Sequence, residues 1–280
     1  MTKTGSSNLR SILTIVFSFF ISFFLFLLCG IIIVQSTVFN PDFMRSQLSK
    51  SHYYENVTAE VEDAFISYGS ASGFDEPFFK TVIDLNNVQL NVNESLSVLY
   101  GSSKATADTT DFEQKLKTKL TENVKNRGIS VTADTEKGLQ LLAKTCADTY
   151  TQYISIPYAK ELAVILQTLK KPLIYAEIAL SLFIIILAIL ISALNRWRHR
   201  AIRAYIYAVS GTMLMLFVLF VTLLLSGKIN RIALISKSLY EFFVCYLTGF
   251  AFLFLQFTLI LGVVLAILAL LYRSMLKQIH

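Results

Sequence analysis

Long uncharged runs alternate with charged segments along this chain, and the runs are long enough to be membrane spans. No charged residue falls between Arg10 and Asp42, from Ile178 to Asn195, from Ala204 to Gly227, or from Phe242 to Tyr272. Each run meets the roughly 17–25 residues a helix needs to cross a bilayer. The pattern predicts an all-α chain of four transmembrane helices, with a helical extracytoplasmic domain inserted between the first and second. The expected boundaries are a tail at 1–10, spans at 11–36, 173–195, 204–227 and 242–272, and a large polar segment at 37–172. A basic loop at 196–203, an interfacial loop at 228–241 and a tail at 273–280 complete the chain.

Within 37–172 the apolar spacing is helical. Asn40-Pro41-Asp42 places a capping side chain, a proline and an acid where a helix begins. Apolar residues then recur at Met44, Leu48, Tyr54, Val57, Val61, Phe65 and Tyr68, which predicts one helix running to the Gly69–Gly73 break. A second helix is expected near Pro77, with Phe78, Phe79, Val82 and Ile83. The alternation Val88, Leu90, Val92 fits a short strand, although no partner strand is evident. Gly101 to Asp108 reads as a loop, and Thr110-Asp111-Phe112-Glu113 has capping-box spacing ahead of the stripe Phe112, Leu116, Leu120, Val124. Another helix starts at Asp134. After Pro157, the positions Tyr158, Leu162, Ile165 and Leu169 lead into the second span past Lys170-Lys171-Pro172. Ile229, Ile232, Ala233, Leu239 and Tyr240 form a rough stripe that suits a short interfacial helix.

Charge gives this layout a direction. Lys3, Arg10, Arg196, Arg198, Arg200, Arg203, Arg273 and Lys277 flank the spans on one side, against Lys228, Arg231 and Lys237 on the other. Positive charge in short loops stays in the cytoplasm, so both termini are expected inside a plasma membrane and 37–172 outside. Of the 19 acids, 17 lie in 37–172 together with 14 of the 25 bases, so that segment is −3 and the rest +9. The high pI therefore reflects membrane-flanking charge, and nucleic acid is not an expected partner.

The first run is too long for a signal peptide and lacks a small-x-small cleavage site, so it reads as a retained anchor. Cys29 lacks the small neighbours of a lipoprotein cysteine. With Cys29 and Cys245 inside spans and Cys146 alone outside, no disulfide is expected in the outer domain, which fits a bacterium. Asn56-Val57-Thr58 and Asn93-Glu94-Ser95 match a glycosylation sequon, a pattern that matters only in a eukaryote.

Candidate chemistry is sparse. His52 and Glu55 stand one helical turn apart, as two metal ligands would, but no second histidine or nearby cysteine completes a site. Glu60/Glu62/Asp63 and Asp75/Glu76 lack the spacing of a calcium loop. Cys146 has no basic partner in sequence and reads as a core thiol. No catalytic residue, cofactor or metal ligand is assigned. Glu177, near the outer end of the second span, and Gln256, midway along the fourth, are the intramembrane polar candidates. Ala188/Ser192 and Gly262/Ala266 have the small-residue spacing that permits close helix contact. Arg196, Trp197, Arg198, Arg200 and Arg203 are expected on lipid headgroups.

One span, a large outer domain and three further spans resemble the topology of MacB/FtsX-type ABC transporter subunits. The cytoplasmic segments here are too short to grip an ATPase as those do. With Val38-Phe39-Asn40-Pro41-Asp42-Phe43 after the first span, the chain also resembles four-span proteins of Gram-positive bacteria with a helical outer domain. That resemblance brings no activity and no site residues. The expectation is a non-enzymatic membrane protein whose outer domain binds a protein or envelope component; the alternative is a channel or transporter subunit. Partner identity and oligomeric state are open at this level.

Overall fold

The computed structural model describes residues 3–101, 110–156, 159–195, 197–225 and 236–277, with side chains from Arg10 onward. The expected loop at 102–108, the Pro157 reset, Arg196 and most of the 228–241 loop lie outside the described residues.

Every regular element among the described residues is an α-helix. In order they are α1 (Lys3–Thr37), α2 (Pro41–Lys50), α3 (Tyr53–Ser70), α4 (Glu76–Lys80), α5 (Leu85–Leu99), α6 (Thr110–Asn126), α7 (Ala133–Ile154), α8 (Ala159–Leu194), α9 (Arg198–Leu225) and α10 (Lys237–Lys277). Among the described residues four helices are long and apolar enough to cross a membrane, so this is a multi-pass membrane protein. They reach beyond the uncharged runs because helical hydrogen bonding continues past the hydrocarbon boundary wherever caps and packing allow. Thus α8 begins at Ala159 and passes through Pro172.

The chain divides into two compact units, one of Met1–Asn40, Leu169–Ile232 and Tyr246–His280, the other of Pro41–Thr168 and Ala233–Cys245. In the first unit α1 lies against α9, and small hydroxyls stitch the pair. Ser18 Oγ donates to the Ala204 carbonyl at 2.7 Å, and Thr212 Oγ1 donates to the Ser22 carbonyl at 2.9 Å. Gly211 leaves room for Ser22 beside it. Cys29 and Ile33 on α1, Leu216 on α9 and Phe254 and Leu261 on α10 form one buried cluster. Ile21, Ile191, Ala204 and Ala208 form another with α8. Small residues serve here because helices in lipid associate by close packing rather than by water exclusion. Ala188 and Ser192 meet Tyr205 of α9, whose hydroxyl lies 2.7 Å from both the Ala188 carbonyl and Ser192 Oγ. Gly262 faces Met213, whereas Ala266 is exposed.

The second unit buries one face of each of its helices. Val57, Val61 and Phe65 of α3, Phe79 of α4, Val88, Val92 and Leu96 of α5, Leu116 and Leu120 of α6, and Cys146 and Tyr150 of α7 form its core. Two sequence expectations need correction. The single helix expected from Pro41 to Tyr68 is two, broken where His52 adopts the left-handed conformation at φ 52°. The alternation Val88, Leu90, Val92 is helical: Val88 and Val92, one turn apart, are buried, while Leu90 is 65% exposed. Asp84 caps that helix by accepting the Asn86 amide at 3.1 Å, which commits the segment to α. The helix that carries the fourth uncharged run starts before Phe242. Helix α10 begins at Lys237, and its residues through Cys245 belong to the second unit.

Turn chemistry closes the ends. Gly128, at φ +74°, follows α6, and the Ile129 amide returns to the Val124 carbonyl at 3.2 Å. Gly69 is required for a different reason: a Cβ there would overlap the ring of Phe79, itself enclosed by Phe65, Phe74 and Phe78. Gly69→Ala is expected to destabilise this unit by about 1–3 kcal/mol through overpacking. Faster hydrogen exchange of α3 and α4 amides in the purified full-length protein would report it, and unchanged exchange would refute it.

Candidate functional site

The residues with the densest polar geometry lie where the start of α10 is held against α3 and α2. A helix start leaves its first amides without intrahelical partners. Ser236, at the cap position, accepts the Leu239 amide at 3.4 Å. The next need is met from a distant part of the chain. Glu60 Oε1 on α3 accepts the Ser238 amide at 2.9 Å, and Oε2 accepts the hydroxyls of Ser236 at 2.7 Å and Ser238 at 3.0 Å. The negative charge therefore sits at the positive end of the helix macrodipole.

The remaining contacts follow one face of α10 at helical spacing. Glu241 accepts the Asn56 side-chain amide at 2.6 Å, and Lys237 stands 3.8 Å from its other oxygen. The Phe242 ring meets Tyr53 edge-on, with centroids 5.8 Å apart. Cys245 Sγ donates to Gln47 Oε1 at 3.3 Å. As α10 advances through 238, 241, 242 and 245, its partners fall through 60, 56, 53 and 47, so the two segments run antiparallel. Burial, with the Glu60 charge as a second cause, pushes the Tyr53 hydroxyl up to about 12. The ring therefore stays neutral and serves as an apolar wall.

The sequence candidates fall elsewhere. Glu177 is half-buried on α8 and Gln256 is exposed on α10, and neither has a hydrogen-bonded partner among the described residues. Trp197 is exposed, 6.2 Å from the His199 ring, and Arg198, Arg200 and Arg203 are exposed on the first turns of α9. His52 and Glu55 are exposed and 3.9 Å apart. Asp75 and Glu76 pair with Arg127 and Lys80. Among the described residues no three His, Cys, Asp or Glu side chains converge as metal ligands would. Cys146 is fully buried, and burial pushes its thiol up to about 12, far from a nucleophile's range.

Sequence reasoning missed Gln47, Asn56, Glu60, Ser236, Ser238 and Glu241 as a group. Ser236, three residues ahead of Leu239 and an apolar run, carries a readable cap signal. Its pairing with Glu60, well over a hundred residues away, leaves no local trace. No protein-family model, curated protein or solved structure matches the chain, so the functional reading rests on its own geometry.

Removal of the Glu60 carboxylate strips an amide and two hydroxyls of their acceptor. Glu60→Ala is expected to cost about 1–3 kcal/mol and to expose amides at the start of α10. A cycle with Ser238→Ala should show coupling above about 0.5 kcal/mol. Additive losses would mean that the Ser238 hydroxyl and the Glu60 carboxylate do not act as a pair.

Proposed function

We propose that this chain is a non-enzymatic plasma-membrane protein of a bacterium, whose helical unit stands outside the membrane and binds a protein partner. Both termini are cytoplasmic in this reading, residues 37–172 are extracytoplasmic, and the arginines around Trp197 rest on inner-leaflet headgroups. The charge asymmetry across the spans supports the orientation.

One observation carries the binding role. On the part of α8 that precedes the second span, Leu162, Ile165 and Leu169 recur at intervals of three and four and are 41%, 51% and 47% exposed. An aliphatic stripe of this spacing on a helix outside hydrocarbon costs free energy until something covers it. Of the two partner classes the sequence suggests, a protein fits better than a polysaccharide, because aliphatic side chains offer a glycan no hydrogen bonds. The arginine cluster gives the inner surface its lipid contact, and no bound cofactor is needed for either role.

Both parts of the proposal are testable in intact cells. A photo-reactive residue at Ile165 should give a discrete protein adduct that the exposed Lys137 position does not, and protease added outside should cut within 37–172 while sparing both tails. Cleavage of the tails with protection of that segment would overturn the orientation. Absence of an adduct at Ile165, together with specific solute flux in reconstituted vesicles, would overturn the binding role in favour of a channel or transporter subunit.

A further inference from the structure

Polar side chains at the middle of a span need a hydrogen-bonding partner, since hydrocarbon supplies none. Within the first unit Ser18, Thr212, Ser192, Tyr205 and Thr258 each bond a carbonyl or hydroxyl of this chain. Gln256 does not. Its carboxamide sits halfway along the uncharged run of α10, exposed and without a partner among the described residues.

Its neighbours on that face are not scattered. Gln256, Leu259, Val263, Ala266 and Leu270 are all exposed and follow one another at intervals of three, four, three and four. An alternation of three and four sustained over two heptads keeps one seam facing a partner helix. Residues on the other face, such as Phe254 and Leu261, pack inside the unit at positions between those of the seam.

We infer that this seam is the interface of a parallel homodimer in which Gln256 of one copy hydrogen-bonds Gln256 of the other. Copies inserted by the same route share one orientation, so two α10 helices lie parallel and bring the same residue to the same depth. A two-fold axis along the membrane normal then sets position 256 against itself. A carboxamide suits that place because it carries both donor and acceptor and can pair with its own copy, whereas a carboxylate or ammonium would repel. A single polar residue in an otherwise apolar seam also sets register, since a one-heptad slip would leave both amides unpaired in lipid.

The test uses the full-length protein in phosphatidylcholine vesicles, with energy transfer between singly labelled copies followed as lipid is added. Wild type should self-associate, Gln256→Leu should weaken association about 3- to 10-fold, as expected for one hydrogen bond in a bilayer, and Gln256→Asn should recover most of it. Independently of that side chain, with Cys29, Cys146 and Cys245 replaced by alanine, single cysteines at Leu259 and Val263 should cross-link between copies. Cysteines at Ile178 and Leu182, equally exposed on α8, should not. Energy transfer no greater than that of unassociated copies, insensitivity to Gln256→Leu, cross-linking as strong on α8 as on α10, or capture of a different protein at Leu259 in cells would each overturn the inference.

Discussion

Hydrocarbon offers no hydrogen-bond partner, and that single fact organises the membrane half of this protein. It forces the backbone into uninterrupted helices, because each open amide or carbonyl in lipid costs several kcal/mol. It also explains which side chains hold α1 to α9. Ser18 and Thr212 reach carbonyls of the opposing helix, and Tyr205 reaches Ala188 and Ser192 on α8. Each of these bonds satisfies a hydroxyl and brings two backbones together, so polarity and packing are solved by the same contact. The Nε2 atom of Gln35, buried without a partner among the described residues near the end of α1, is an exception.

The second unit is built differently. Its helices are shorter, two of them are capped by Asp84 and Thr132, and they turn an apolar stripe to the core and charged pairs to the exposed face. Lys115–Asp111, Lys80–Glu76 and Lys117–Glu136 are exposed and contribute little individually. What fixes the unit is aromatic volume. Phe65, Phe74, Phe78 and Phe79 interlock, and Phe112 stacks on Tyr150 with ring centroids 4.4 Å apart. Gly69 is the gap that admits the Phe79 ring.

How much of this was legible follows from the range of the forces. The four spans could be read from the sequence because uncharged length is a property of contiguous residues. The α6 stripe at Leu116, Leu120 and Val124 was legible for the same reason, and all three residues are buried. The break at His52 was hidden, since the apolar spacing of Leu48 and Tyr54 is nearly continuous across it. The short alternation at Val88 misled because i and i+4 are both even steps, so the same valines satisfy a strand and a helix; Asp84 was the cue that decides. The seat of α10 was out of reach altogether, because charge alone suggested that Glu241 ended a loop, while Asn56 gives it a partner within a helix.

Helix α10 brings these two regimes into one element. Its first turns are exposed to competition from water, so they depend on outside acceptors, and Glu60 supplies them. Farther along, the uncharged run needs no such help: an opened backbone bond there would find no water, so fraying that starts at Lys237 loses its driving force on reaching hydrocarbon. Loss of the Glu60 cap thus removes the anchoring of the first turns without threatening the existence of the helix. The Glu60 contact is therefore better understood as fixing where the start of α10 is held than as making α10 helical. Gln256 follows the same reasoning at the opposite extreme of solvent, as a polar group whose partner must come from protein because the surroundings supply none.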